Sequence, residues 1–206
     1  MKLYQSATSP FVRKVRLTAA ELGLSAEIEM LDVSDAYKKG GPLAREENIV
    51  KVNPLGQVPT MLTEDGTVLA DSRVICEYLN HRGKGEIFPS DPGKRWNALM
   101  EQTVGDGLLD AALLSRYEGL LRPEERQWQP WRDGQMAKLH AALAVIEQKA
   151  ATFGDRVDIG TITFASALAY LDLRFADLDW RKDHPATAAW FAAIEARPAF
   201  AANRLG

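Results

Sequence analysis

The feature that most constrains this chain is a proline inside a run that otherwise reads as a β-strand. In VNPLGQVPTMLTEDGTVLADS, Val52 to Ser72, Pro59 stands within Val58-Pro59-Thr60-Met61-Leu62. Proline cannot donate to a ladder, so it belongs at a sheet edge or in a cis turn, not at a central paired position. Asn53-Pro54-Leu55-Gly56 ahead of it is turn chemistry, with Pro fixing φ and Gly free to take positive φ. Glu64-Asp65-Gly66 after it is a tight hairpin turn, and Thr67 to Ala70 is a second strand. Asp71-Ser72 ends that strand. Val74, Ile75, Tyr78 and Leu79 follow at helical spacing, which predicts Ser72 as a helix N-cap.

Such a unit can hold an extended peptide with a free α-carboxylate. The edge beside Pro59 offers unpaired backbone groups for strand addition. The helix start at Ser72 offers N–H groups and a positive dipole end to a carboxylate, and Asp71 can take an ammonium.

The preceding chain supplies the rest of a small α/β domain. Lys2 to Ser6 is a first strand. Ser9 is the expected N-cap of a helix opening at Pro10, because proline suits the first helical position. Phe11, Val12, Val15, Ala19 and Leu22 recur at helical spacing, and Gly23 fits the C′ position. Glu27 to Met30 alternates as a strand with one buried face. Asp35 to Lys51, with Gly40, Gly41 and Pro42, reads as a loop or weak helix; Lys38, Lys39 and Arg45 in it read as solvent-facing charges.

Gly83 to Pro92 (GKGEIFPSDP) is the linker, and no strand signal follows it. The expected organisation is a domain over 1–82, a linker over 83–92 and an all-helical domain over 93–206. Lys94 to Leu121 is a long helical pattern carrying Trp96, Leu99, Met100, Val104, Leu108, Ala111 and Ala112. Asp106 and Asp110, four apart, read as a solvated face. Trp131 to Ala151 is a second helix. Asp158 caps a third that runs to about Phe175, and His184-Pro185 opens a last one. The aromatic residues of this half read mostly as core.

Composition excludes several function classes. A net charge of −3 over 206 residues argues against a nucleic-acid binder. No apolar run approaches the roughly 20 residues that span a bilayer. The segment Met1 to Gln5 lacks the apolar core of a signal peptide, so a cytoplasmic location is expected. The single cysteine, Cys76, rules out an intrachain disulfide and a C-x-x-C pair; it reads as a small buried residue. His81, His140 and His184 have no mutual spacing that fits a metal site, and none is expected.

The motif carried by Asn53, Pro54, Gly56, Val58, Pro59, Leu62, Asp71 and Ser72, with Ser9-Pro10-Phe11 before it, resembles the glutathione-binding half of cytosolic glutathione transferases of the bacterial serine type. The resemblance covers the first ~85 residues by motif and the remainder by its pattern of helices. It implies a thioredoxin-like N-terminal domain with a mixed four-stranded sheet, an all-α C-terminal domain and a two-fold homodimer. The family's usual capping box has Ser or Thr at the cap and Asp three residues on. Asp158 and Thr161 reverse these types, which puts the reciprocal contact in doubt.

The resemblance also implies a chemistry. A free thiol has a pKa of about 8.5, so glutathione is mostly un-ionised near neutrality; helix N-termini and hydrogen-bond donors lower such values. Ser9 is the expected catalytic residue, its hydroxyl donating to the thiolate of glutathione, which is a co-substrate; the alternative is that Ser9 is an N-cap only. Val58, before a cis Pro59, pairs with the cysteinyl unit. Ser72 takes the γ-glutamyl carboxylate and Asp71 its ammonium. Phe11 and Gln57 complete the glutathione contacts, and Lys51 is a second candidate for the glycyl end. A small electrophile is expected between the domains, against Phe11, Leu113 and Tyr117. The competing readings are a non-enzymatic interaction protein like the stringent-starvation proteins, and a glutathione-dependent isomerase or dehalogenase.

Overall fold

The computed structural model describes residues 1–34 and 47–206. These fall into two compact units, Met1–Phe88 together with Ala202–Gly206, and Pro89–Ala201. Most of the segment read as a loop or weak helix, with Lys38, Lys39 and Arg45, lies outside the described residues.

The first unit is a sheet flanked by helices. Strands β1 (Lys2–Gln5), β2 (Glu29–Asp32), β3 (Thr60–Leu62) and β4 (Val68–Leu69) stand in the order β2-β1-β3-β4. β1 runs parallel to β2 and antiparallel to β3, and β3 runs antiparallel to β4. This is the mixed four-stranded sheet of a thioredoxin-like fold. Helix α1 (Pro10–Glu21) crosses between β1 and β2. A short helix α2 (Glu47–Val52) precedes β3, and α3 (Ser72–Arg82) follows β4. Leu3, Val12, Val15, Leu17, Met61, Ile75 and Leu79 form the core and are fully or almost fully buried. Glu27 lies in a 3-10 turn and β2 begins at Glu29. As an edge strand it has no buried face of its own; the residues beside it, Ile28 and Val33, are the buried ones.

The second unit is helical. It contains α4 (Pro92–Leu121), α5 (Gln129–Phe153), α6 (Ile159–Arg174), the single turn α7 (Trp180–Asp183), α8 (Pro185–Glu195) and a last short helix α9 (Pro198–Ala201). α6 is buried along most of its length and packs against α4. Three α4 positions depart from the sequence reading. Trp96 and Met100 are 68% and 60% exposed, while Asp106, read as solvated, is buried. The inward face of α4 is lined instead by Ala98, Gly105, Leu108, Leu109 and Ala112, small or aliphatic groups that let α6 approach. Trp128 and Trp131 are also exposed, so the aromatic core is Phe153, Phe164, Tyr170, Trp180, Trp190, Phe191 and Phe200. The reciprocal capping box at α6 is present: Thr161 N–H donates to the Asp158 carboxylate and Asp158 N–H to the Thr161 hydroxyl, both at 3.0 Å. Swapping the two residue types leaves one acceptor at each end, so both bonds survive the reversal. No helix among the described residues is long and apolar enough to cross a membrane.

Candidate functional site

The sheet topology gathers the sequence-predicted residues at one end. β1 finishes at Gln5, and its antiparallel partner β3 starts at Thr60, opposite Tyr4. The loop Ser6–Ser9 and the pair Val58-Pro59 therefore leave the sheet at the same end. β4 runs back along β3, with Leu69 opposite Met61, so Ala70, Asp71 and Ser72 emerge there too. β2 is parallel to β1 and delivers Ser34 to this end, where its hydroxyl donates to Ser6 Oγ at 3.2 Å. Two helices, α1 and α3, begin at this end, and their unsatisfied N–H groups and positive dipole ends face anionic groups favourably.

Ser9 is the N-cap of α1 in extended backbone, and its Oγ accepts from Val12 N–H at 3.3 Å. The hydroxyl hydrogen has no acceptor among the described residues, so the group can cap the helix and donate at the same time. Val58 is half-buried and lies outside the ladder, because the paired register of β3 begins at Thr60. The Val58–Pro59 bond is cis, as is Ala70–Asp71. The turn before Pro59 is fixed by buried polar groups. Asn53 Nδ2 donates to Thr60 Oγ1 at 2.9 Å, Asn53 Oδ1 accepts from Leu55 N–H at 3.0 Å, and Thr60 Oγ1 donates to the Gln57 carbonyl at 2.7 Å. Gly56, at φ +62°, makes the turn that only a residue without a Cβ takes cheaply. Gln57 is exposed at its end, and Lys51 is exposed in the last turn of α2.

The α3 start differs from the sequence reading. Asp71, not Ser72, is the N-cap, and its carboxylate accepts from Arg73 N–H at 2.8 Å. Ser72 is the first helical residue and is 2% exposed, and its hydroxyl has no partner among the described residues. Aspartate and serine are equally good caps, so residue preference alone does not choose between adjacent candidates. Arg73 also pairs with Asp71 through its guanidinium at 3.0 Å. Burial pushes the Asp71 carboxyl up, but the Arg73 hydrogen bonds and the charges of Arg73 and Lys14 outweigh it and hold it below the ordinary aspartate value. An anionic Asp71 with unused lone pairs can still accept from an ammonium.

Lys14 is a member of this end that the sequence reading missed. It is fully buried on α1, with its ammonium 5.9 Å from the Phe11 ring centre and close enough to act on Asp71. The signal lay in the periodicity: Lys14 falls on the stripe of Phe11 and Thr18, three and four residues away, so an apolar helix face carries a cation. Phe11 itself is half-buried. Leu113 and Tyr117 lie one turn apart on α4 of the second unit, the former half-buried and the latter 37% exposed. Cys76 is buried and accepts from the Thr18 hydroxyl at 3.3 Å. No cluster of three or more metal-ligating side chains occurs among the described residues.

Both halves of the chain resemble known proteins. Residues 8–82 match the glutathione S-transferase N-terminal domain, and residues 129–193 match its C-terminal domain. The uncharacterized GST-like protein YibF of Escherichia coli K12 is 31% identical over 189 residues, which is 90% of this chain and 89% of that protein. A glutathione transferase family member from Pseudomonas fluorescens Pf-5, solved with bound glutathione, superposes with a TM-score of 0.93 at 39% identity, covering 100% of this chain and 98% of that one. A glutathione S-transferase from Methylobacillus flagellatus KT with glutathione bound gives 0.89 at 31% identity, covering 100% and 99%. Similarity that runs across both halves and nearly the whole of these relatives places the chain in the glutathione S-transferase family.

Proposed function

We propose that the protein is a glutathione transferase that ionises the thiol of glutathione and directs it at a small hydrophobic electrophile. The observation that carries this reading is the Ser9 hydroxyl, set at the N-terminus of α1 with its hydrogen uncommitted among the described residues. A donor and a helix dipole at one point both favour thiolate over thiol. The glutathione found in the Pseudomonas and Methylobacillus relatives supports the ligand.

In the proposed complex the tripeptide lies extended against the free edge at Val58, exchanging backbone hydrogen bonds where the ladder has stopped. Pro59 and Phe11 supply apolar contact. The γ-glutamyl carboxylate takes the Ser72 hydroxyl and the first N–H groups of α3, its ammonium pairs with Asp71, and Lys14 adds positive potential. Gln57 receives the glycyl carboxylate, with Lys51 as the second candidate. The thiol proton passes to solvent, Ser9 O–H donates to the thiolate, and the thiolate attacks an electrophilic carbon to form a thioether, either expelling the leaving group with its bonding pair or pushing a π-electron pair onto the neighbouring atom, which then takes a proton from solvent. Phe11 in the first unit and Leu113 and Tyr117 in the second are the proposed electrophile contacts. The bare apolar pair Trp96 and Met100, one turn apart on α4, supports a homodimer through that helix.

Calorimetric titration with glutathione tests the reading. Wild type is expected to bind in the micromolar-to-millimolar range. Ser72→Ala is expected to weaken binding by about tenfold, the loss of one charge-assisted hydrogen bond. Ser9→Ala is expected to leave affinity nearly unchanged and to return the bound thiol, followed by thiolate absorbance, toward about 8.5. No heat at millimolar glutathione would overturn the proposal.

A further inference from the structure

Ser9 stands in a segment with little apolar anchorage. Ser6, Ala7, Thr8 and Ser9 link β1 to α1, and every residue between the buried Leu3 and the buried Pro10 is only half-buried. Hydrogen bonds must therefore fix this turn. Ser9 N–H donates to the Ser6 carbonyl at 3.0 Å, closing a four-residue turn, and Val12 N–H donates to Ser9 Oγ at 3.3 Å. Both bonds are local. They set the shape of the turn and its join to α1, but not where it stands against the sheet. The Ser34 hydroxyl supplies that constraint by donating to Ser6 Oγ at 3.2 Å. Among the described residues, this is the side-chain hydrogen bond that joins the turn to a second strand.

Ser34 is itself held in place. Val33 is buried, and its N–H donates to the Gln5 carbonyl at 2.9 Å, which carries the β1–β2 pairing one step past the Gln5–Asp32 pair. The Asp32 carboxylate then spans both strands. Oδ1 accepts from Ser34 N–H at 2.7 Å, and Oδ2 accepts from Gln5 Nε2 at 3.2 Å. An aspartate that accepts the N–H two residues on fixes the backbone in an Asx turn. The order of constraint therefore runs from Asp32 to Ser34, from Ser34 to Ser6, and from the Ser6 carbonyl to Ser9 N–H. The hydroxyl that ends this series, Ser9 O–H, is the one left free to donate outward among the described residues.

We propose that Ser34 is a positioning residue for Ser9: its hydroxyl, held by Asp32, fixes the Ser6–Ser9 turn against β2 so that Ser9 O–H is aimed at the sulfur of glutathione. The proposal rests on the glutathione transferase reading and adds a residue to it. Ser34 acts through Ser6 and touches neither glutathione nor the electrophile. A hydrogen bond weakens steeply as its angle falls toward about 120°, and a misplacement of about 1 Å can cost about 100-fold in rate. A turn without an apolar anchor is where such a misplacement arises most easily. When the donor is misaimed the thiolate loses its partner, so the bound thiol titrates at higher pH.

The test uses the full chain with glutathione and 1-chloro-2,4-dinitrobenzene, and follows the thiolate absorbance of bound glutathione against pH. Ser34→Ala is expected to lower kcat by about tenfold, part of the cost of a misaimed group. It should raise the thiolate midpoint by up to about one pH unit, which is tenfold in the ionisation constant. KM for glutathione should stay within about twofold, because no contact to the peptide is removed. Ser34→Thr keeps the hydroxyl and should restore both kcat and the midpoint. Ser6→Ala breaks the same bond from the other side and keeps the test decisive if Ser34→Ala does not fold. The Ser6→Ala, Ser34→Ala double variant should be no worse than either single one, since both remove one interaction. Wild-type kcat and midpoint in Ser34→Ala would overturn the assignment and leave the transferase reading standing. Additive losses in the double variant, or equal losses in Ser34→Thr and Ser34→Ala, would do the same. A wild type that forms no thiolate with glutathione would overturn the transferase reading, and this assignment with it.

Discussion

Glu147 shows how one side chain can complete a helix to which it does not belong. α8 opens at Pro185 behind His184, which supplies no side-chain cap. Glu147, on α5, takes that role: Oε1 accepts from Ala186 N–H at 3.0 Å, and Oε2 accepts from Thr187 N–H at 2.8 Å and from the Thr187 hydroxyl at 2.7 Å. Burial pushes the Glu147 carboxyl up, but these donors and the nearby His184 outweigh it, and its pKa falls below the ordinary 4.5. A carboxyl depressed in the folded state stabilises the fold at pH above its unfolded value. That contribution disappears as pH falls through the folded value. Glu147→Gln is therefore expected to lower stability at pH 7 by about 1–2 kcal/mol, the range of a lost cap. The difference from wild type should shrink below about pH 4. Urea unfolding of both proteins at pH 7 and pH 3.5 measures this, and a constant difference across that range would count against the capping account.

Among elements, the start of α6 is where α4, α5 and α6 are tied together. Glu101 on α4 is buried and accepts from Lys149 of α5 and from Arg156 ahead of α6, each at 2.7 Å. Arg156 also pairs with Asp158, the α6 cap, at 2.7 Å. Gly160 sits against this network: an added Cβ would stand 2.7 Å from Glu101 Cβ and 3.0 Å from the Ala98 carbonyl. Gly160→Ala must therefore displace α4 backbone, and a loss of about 1–3 kcal/mol is expected, as for overpacking. Asp158→Ala should cost about 1–2 kcal/mol through the cap. Thermal unfolding decides: a Gly160→Ala protein as stable as wild type would mean that α4 and α6 separate without penalty. Local chemistry of this kind was legible in the sequence. Pro59 ends the paired register, Ser9 caps α1, and Asp158 caps α6, because turns and caps are set by residues within a few positions. Burial was less legible. Whether Trp96 and Asp106 face in or out is decided by the element packed opposite, which no local spacing records. Adjacent acceptors also defeat the reading, and so Ser72 and Asp71 exchanged roles at the α3 cap. The placement of the site residues at one sheet end follows from strand order.

At the scale of the whole molecule, the five residues after α9 group with the sheet unit. Nothing in Ala202-Asn203-Arg204-Leu205-Gly206 announces this, since the segment is short and has no periodicity. The tie is to α1: the Nε of Arg13, a residue with no exposed surface, donates to the Asn203 carbonyl at 2.9 Å. A guanidinium buried in a helix face needs acceptors, because desolvating a charged donor without them is costly. The Asn203 acceptor is a backbone carbonyl, so side-chain substitution there would leave it in place, and truncation is the informative change. A chain ending at Ala201 is expected to lose about 1–3 kcal/mol, which for a protein of this size lowers Tm by about 2–4 °C per kcal/mol. The loss should be local as well as global. Amide hydrogen exchange is expected to accelerate along α1, around Arg13 and Val15, more than along α6. If truncation leaves α1 exchange and Tm unchanged, other groups satisfy Arg13 and the tail does not hold the first unit. If α1 exchange rises and Arg13→Met in the truncated chain recovers part of the lost stability, the cost lies in the lost Arg13–Asn203 bond. The chain's last residues would then be part of the framework that holds Ser9 and Lys14 in place.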